Sequence, residues 1–184
     1  MYWYVLFVET GKEAFVREMI REHFSDKVKC LLPLKRVREK KSGWFYERII
    51  PLFPSYLFIQ ADMKLMDHND LLKIPNTYYI LKNSSKDMNM DRNSYLKSIS
   101  EEEMTFILKL LNQEDTVDYS DIRITDGKME VISGPLLNHK DNIQKIDIRN
   151  SKAKIKLNLS YLERTIYVPI NVIRSATLVE VIDA

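Results

Sequence analysis

The chain has 184 residues, with a formal net charge of +2 from 28 basic and 26 acidic side chains. A balance so close to neutral excludes a bulk polycation, so any affinity for nucleic acid has to come from local patches. The single cysteine, Cys30, excludes a disulfide framework and a cysteine-built zinc site and fits a reducing cytosol.

The apolar opening Trp3 to Val8 is too short for a spanning helix and lacks the basic start of a signal peptide, so a cytoplasmic protein without membrane contact is expected. Tyr2 to Val8 is a continuous run of β-formers and reads as a buried strand. Thr10 and Glu13 stand at capping-box spacing and predict a helix whose inward face carries Phe15, Val16, Met19, Ile20 and Phe24. His23 near its end suits the helix dipole or solvent better than a ligand role. After Pro33 comes a basic run, Lys35, Arg36, Arg38, Lys40 and Lys41, with Arg48 beyond a Gly43 turn. A hairpin with Gly43 near its tip is the simplest structure. Its charges, with Trp44, Phe45 and Tyr46 beside them, fit either a nucleic-acid contact or an ordinary solvated arm.

The stretch from Ile49 to Ile59 is the most distinctive. Pro51 and Pro54 predict a rigid, extended ledge. Tyr56 to Ile59 follow without a polar interruption and read as a central strand buried on both faces. Phe53, between the prolines, is expected to stay out of that core, either capping its edge or serving as an aromatic anchor for a partner.

Met63 to Ile74 reads as a second helix ended by Pro75, and Tyr78 to Leu81 as another strand. Residues 82–93 are polar and irregular. Asp87, Asn89 and Asp91 imitate a calcium loop, but Arg92 and Ser98 stand where its Gly and Glu belong, so no metal is expected. Ser100 and Glu103 form a second capping box, opening a helix with Met104, Ile107, Leu108 and Leu111 on one stripe. These patterns divide the chain into a domain over 1–112, an exposed acidic linker over 113–121 and a second domain over 122–184.

The second domain shows short β-rich runs at 129–132, 142–148, 152–159, 165–168 and 176–182, which suggest a five-stranded SH3-like barrel. Lys152, Lys154 and Lys156 alternate with Ala153, Ile155 and Leu157, so a period of two gathers the lysines on one face. Lys145 and Arg149 alternate on the preceding strand, with Lys140 and His139 at its end. The face is either a plain solvated exterior or a surface for RNA.

Three segments carry a resemblance. Trp3-Tyr4-Val5-Leu6 with Thr10-Gly11-Lys12-Glu13, the ledge Pro51-Leu52-Phe53-Pro54-Ser55-Tyr56-Leu57-Phe58, and Val131-Ile132-Ser133-Gly134-Pro135-Leu136 resemble, in order, the opening, the PLFPGYLF segment and the KOW start of the bacterial NusG family. Ser55 replaces the usual Gly, and Asp141-Asn142 lies where KOW motifs have a Gly. The resemblance implies an α+β protein: an N-terminal sandwich of antiparallel sheet and helices, then a KOW barrel. It implies a transcription elongation or antitermination factor that docks on the clamp helices of RNA polymerase's largest subunit through Tyr4, Phe53 and Tyr56. The Pro-Leu-Phe-Pro ledge, short linker and basic barrel face look like the LoaP branch. In that case Lys140, Lys145, Arg149, Lys152, Lys154 and Lys156 would hold an RNA hairpin. The alternative is a general adaptor whose barrel recruits a ribosomal protein or Rho through Tyr161 and Leu162. A ribosome-associated barrel protein is a more remote alternative. Three scattered histidines and four glycines offer no nucleophile elbow or phosphate loop, so no catalysis and no cofactor is expected. A monomer is expected.

Overall fold

The computed structural model describes residues 1–63, 67–81, 96–159 and 162–174. The opening strand β1 (Tyr2–Val8) leads into helix α1 (Glu13–Phe24), then β2 (Lys29–Leu31) and the hairpin β3 (Leu34–Lys41) and β4 (Trp44–Pro51). Next come β5 (Tyr56–Ala61), a short helix α2 (His68–Leu72), β6 (Thr77–Ile80), β7 (Ser98–Ile99) and helix α3 (Glu101–Leu110). The second half holds β8 (Thr116–Val117), β9 (Ser120–Thr125), β10 (Lys128–Val131), a 3-10 stretch over Pro135–Asn142, β11 (Ile143–Asp147), β12 (Lys152–Leu159) and β13 (Leu162–Arg174).

The first sheet runs β2-β5-β1-β6, with β7 also paired to β1. Its strands are apolar on both sides because both sides are covered. Leu6, Val8, Leu57 and Ile59 pack against Val16, Ile20 and Phe24 of α1, while Trp3, Val5 and Phe58 pack with Met104 and Ile107 of α3. The expectation of a doubly buried strand at Tyr56–Ile59 is met: Leu57, Phe58 and Ile59 are all buried. Ser100 and Glu103 form the capping box their spacing predicts.

Thr10 and Glu13 do not cap α1, which begins at Glu13 without a side-chain cap. They reach across the sheet instead. Glu13, itself buried, accepts the Ser55 N–H at 2.8 Å, and the Thr10 and Ser55 hydroxyls lie 2.7 Å apart. Ser55 has φ 71, and the Tyr56 N–H donates to the Phe53 carbonyl at 3.1 Å. Proline followed by a positive-φ residue is the order of a type II turn, in which Gly is usual at the second place. The two clasping side chains offset the left-handed strain that Ser55 carries.

That turn corrects the reading of the ledge. It does not run out as an extended shelf but reverses, and it drives Phe53 inward. Phe53 is 3% exposed and meets Phe58 edge-on at 5.2 Å between ring centroids.

The second half forms a five-stranded sheet ordered β10-β9-β13-β12-β11. β13 pairs antiparallel with β12 as far as Pro169 and then parallel with β9 from Ile170. The strand expected at 176–182 lies outside the described residues, and the run starting at Ser120 supplies a strand where linker had been expected. Gly134 (φ 85) is confined to glycine by space, since a Cβ there would sit 2.5 Å from the Tyr119 carbonyl oxygen. It seats the 3-10 stretch on β9, where the Leu136 N–H donates to Ser120 Oγ at 3.0 Å.

Residues 113–121 are not an exposed tether. Thr116, Val117 and Ser120 are buried, and β8 pairs in parallel with β3, matching Leu34 to Thr116 and Lys35 to Val117. The acidic side chains around it do not merely face water: Asp118 accepts from Arg36 Nε at 2.6 Å and from Asn112 Nδ2 at 2.7 Å. One apolar cluster therefore runs from Phe58 and Ile107 through Val117 and Ile122 into Ile155 and Val168. The helix expected over Met63–Ile74 is confined, among the described residues, to α2, because Asp67 caps it by accepting the Asn69 N–H. The calcium-like residues Asp87 to Arg92 lie outside the described residues.

Candidate functional site

Of the three aromatic residues expected to meet a partner, two are core. Tyr4 is 6% exposed, and burial, then Asp62 and Tyr2, raise its hydroxyl above the usual tyrosine value. Phe53 is fully enclosed, as described above. Only Tyr56 is half-buried, and it belongs to an aromatic patch that composition alone does not reveal.

Phe7 is the centre of that patch. It stacks on Tyr79 at 4.9 Å, meets Tyr56 edge-on at 5.3 Å and approaches Tyr78 at 5.6 Å. Phe7 shares the sheet face of Trp3 and Val5, but the α3 cluster covers only their end of the strand. The ladder between β1 and β6 slips between Phe7 and Val8, pairing Phe7 with Tyr79 and Val8 with Thr77, so Tyr78 is the extra residue of a bulge. The bulge lets two successive tyrosines crowd one phenylalanine, with Tyr78 54% and Tyr79 44% exposed. The signal for this lay in Tyr78-Tyr79 itself, two adjacent rings in a strand where only one is expected to point inward.

The two basic regions differ. The β3/β4 hairpin forms as expected, turning at Ser42 (φ 52) and Gly43 (φ 87). Its arginines are engaged: Arg36 by Asp118 at 2.6 Å, Arg38 by Glu47 at 3.4 Å and Arg48 by Glu39 at 3.2 Å. Arg38 also lies over the Tyr119 ring at 5.1 Å. Lys40 and Lys41 stand exposed near the tip with Trp44 and Phe45, and Lys40 lies 5.5 Å from the Phe45 ring centre. The arginines of the expected basic arm are therefore paired, while Lys40 and Lys41 keep its tip cationic beside the aromatic rings.

In the second sheet, Lys145 sits opposite Lys154, and Asp147 opposite Lys152. Ala153, Ile155 and Leu157 are buried, so Lys152, Lys154 and Lys156 share the outward face with Tyr167, which pairs with Lys154. Lys140 and Arg149 are exposed but stand off this ladder, one in the 3-10 stretch and the other in the turn after β11. His139 is turned inward, 4.2 Å from the Phe106 ring, and its Nε2 is buried. Burial, then the charge of Lys109, lowers its pKa below the usual histidine value. Tyr161, and the side chain of Leu162, lie outside the described residues.

Hairpin and second sheet meet in a cleft of about 100 Å³ lined by Lys35, Arg38, Tyr119, Lys152 and Tyr167 among others. Lys35 Nζ donates to the Tyr167 carbonyl at 2.9 Å, and Lys152 Nζ lies 4.8 Å from the Tyr167 ring centre. Burial, then the charge of Lys152, lowers the Lys35 pKa below the usual lysine value. Among the described residues no cluster of His, Cys, Asp and Glu could hold a metal ion, and no helix is long and apolar enough to cross a membrane.

The chemistry that the described residues turn outward is thus an aromatic patch on one sheet and a row of lysines on the other. The family described as "Transcription termination factor nusG" matches residues 1–108. The chain thus belongs to the NusG family, transcription factors rather than enzymes. It is 24% identical over 166 residues to the transcription termination/antitermination protein NusG of Buchnera aphidicola, covering 85% of this chain and 86% of that one. The structure of Thermotoga maritima NusG, described for its domain interaction, shares the fold with a TM-score of 0.54 at 19% identity, covering 91% and 92% of the two chains.

Proposed function

We propose that this protein is a transcription antitermination factor of the LoaP kind. Its N-terminal unit, residues 1–112, docks on RNA polymerase, and its C-terminal unit, residues 122–184, is a KOW barrel that holds a structured RNA. The observation that carries the docking reading is the ring cluster of half-buried Phe7 and Tyr56 with exposed Tyr78 and Tyr79, which lies within the residues matching the family. Rigid aromatic rings with few rotatable bonds are the usual anchors of protein interfaces. The clamp helices of the polymerase's largest subunit are the partner proposed for it. Tyr4 and Phe53 then act from beneath, holding β1 and β5 in place, and Tyr56 alone of the original three touches the partner.

A factor of this kind works by differential affinity. Binding better to the closed, processive clamp shifts the population away from paused states, by no more than the difference in affinity between the two. The RNA part rests on the lysine ladder, because phosphate contacts and 2′-hydroxyls dominate recognition of RNA stems. The test is a pair of measurements on the full-length protein: retention of purified RNA polymerase, and a mobility shift with structured RNAs at physiological salt. Retention with no preference for structured over scrambled RNA would replace this reading with the general adaptor, recruiting a ribosomal protein or Rho.

A further inference from the structure

We propose that the cleft between the β3/β4 hairpin and the C-terminal sheet is a phosphate site for RNA, with Lys35 and Lys152 as its cationic arms, so that both halves of the chain share one RNA surface. The proposal rests on the RNA reading above and extends it to a residue of the N-terminal half.

Four cations reach this cleft, and two are already neutralised. Arg36 is held by Asp118 and Arg38 by Glu47. Lys35 Nζ meets a neutral carbonyl, that of Tyr167, and Lys152 Nζ meets the face of the Tyr167 ring. Neither forms an ion pair with a described carboxylate. Asp147, the acid opposite Lys152 on the ladder, is engaged in the neighbouring turn, accepting the Asn150 N–H at 3.0 Å and its side-chain amide at 2.8 Å.

The fold therefore brings two like charges into one partly desolvated cleft with no described carboxylate in ion-pair contact with either, Asp147 acting on Lys152 only from across the ladder, so the two ammonium groups repel each other. The lowered pKa of Lys35, caused by burial and then by Lys152, agrees with that geometry. A phosphate between the two ammonium groups would relieve the repulsion and form charge-assisted hydrogen bonds with both. The cleft is too small for a folded ligand, but it opens onto the ladder where Lys152, Lys154 and Lys156 follow at every second residue, about 6.7 Å apart. That interval is comparable with the spacing of successive phosphates along an RNA strand, so a single backbone can run from the ladder into the cleft. Tyr167, 42% exposed, stands beside this path as a ring on which a base can stack.

The test titrates the full-length protein with a short fluorescent RNA stem-loop across a salt series, comparing wild type with Lys35→Gln, Lys35→Arg and Lys154→Gln. Glutamine keeps a donor for the Tyr167 carbonyl, so its effect reports charge rather than docking. Thermal unfolding in the same buffers checks that the fold is intact. Each Gln variant is expected to lower the slope of log affinity against log salt by about 0.7–0.9, with Lys35→Arg restoring the wild-type slope. A slope lowered by Lys154→Gln but not by Lys35→Gln overturns the cleft and leaves the RNA ladder standing. Phosphate contacts need no sequence match, so wild-type protein that fails to bind even at low salt overturns both. Binding that neither substitution weakens overturns both as well.

Discussion

The two sheets of this molecule show opposite chemistry to solvent. The N-terminal sheet is covered by α1 on one face and partly by α3 on the other, so its strands are apolar on both sides and the uncovered end leaves bare rings. The C-terminal sheet buries Ala153, Ile155 and Leu157 on one side and turns lysines outward on the other. Double coverage that stops short leaves an apolar patch, whereas single coverage creates a polar face whose charge the sequence is free to choose. The same reasoning separates the hairpin from the lysine ladder. Acids placed across the hairpin neutralise its arginines, while Asp147, opposite Lys152 on the ladder, gives its hydrogen bonds to a turn.

The sharpest way to break this comparison is at Phe53, which shares the ledge with Tyr56 of the aromatic patch but belongs to the core. Phe53→Ala is expected to cost about 3–5 kcal/mol of stability in urea unfolding, as large-to-small core substitutions do. A loss below about 1 kcal/mol would return Phe53 to the surface. Tyr79→Ala tests the other side. It is expected to leave unfolding nearly unchanged while weakening polymerase binding by about 2 kcal/mol, roughly 30-fold, in a direct affinity measurement.

Acid offers a gentler probe of the junction. His139 is held neutral by burial, so its folded pKa lies below the ordinary value of 6.5. A depressed histidine pKa means that the unfolded state takes up protons first. The stabilisation is then complete above pH 6.5 and is lost as pH falls through the folded value. Protection of the α3 amides, corrected for the intrinsic slowing of exchange in acid, should fall below pH 6.5, and His139→Phe should abolish that fall. The smallest effect is expected at Ser55. Glycine there removes left-handed strain but also the contact with the Thr10 hydroxyl, so Ser55→Gly should shift stability by less than about 1 kcal/mol in the same urea assay.

Periodic features were legible from sequence because their cause is local. The lysine alternation, the apolar run of β5, the Ser100/Glu103 box and the Gly43 hairpin each follow from spacing within one element. Misreadings arose where the deciding partner is distant. Thr10 and Glu13 have capping-box spacing, yet the amide they serve belongs to Ser55, 42 residues beyond Glu13. Phe53 is the local exception: the stiffness of its flanking prolines suggests a shelf, but the turn at Pro54-Ser55 sets its direction. Residues 113–121 look like tether by composition, and only β3 alongside turns Thr116 and Val117 into a buried strand. The patch around Phe7 depends on a bulge, which Tyr78-Tyr79 signals locally, and on where α3 stops, which no single stretch encodes.

The short pairing of β8 with β3 also sets the reach of the C-terminal half. While β8 is fastened, only Asp118 and Tyr119 connect it to β9, a leash of at most about 7 Å. It is not the sole tie, since Lys35 Nζ reaches the Tyr167 carbonyl at 2.9 Å and one apolar cluster runs from Ile107 through Val117 into Ile155. A two-residue ladder thus works as a clasp on a shared core, and the lysine face keeps a fixed place relative to the N-terminal sheet.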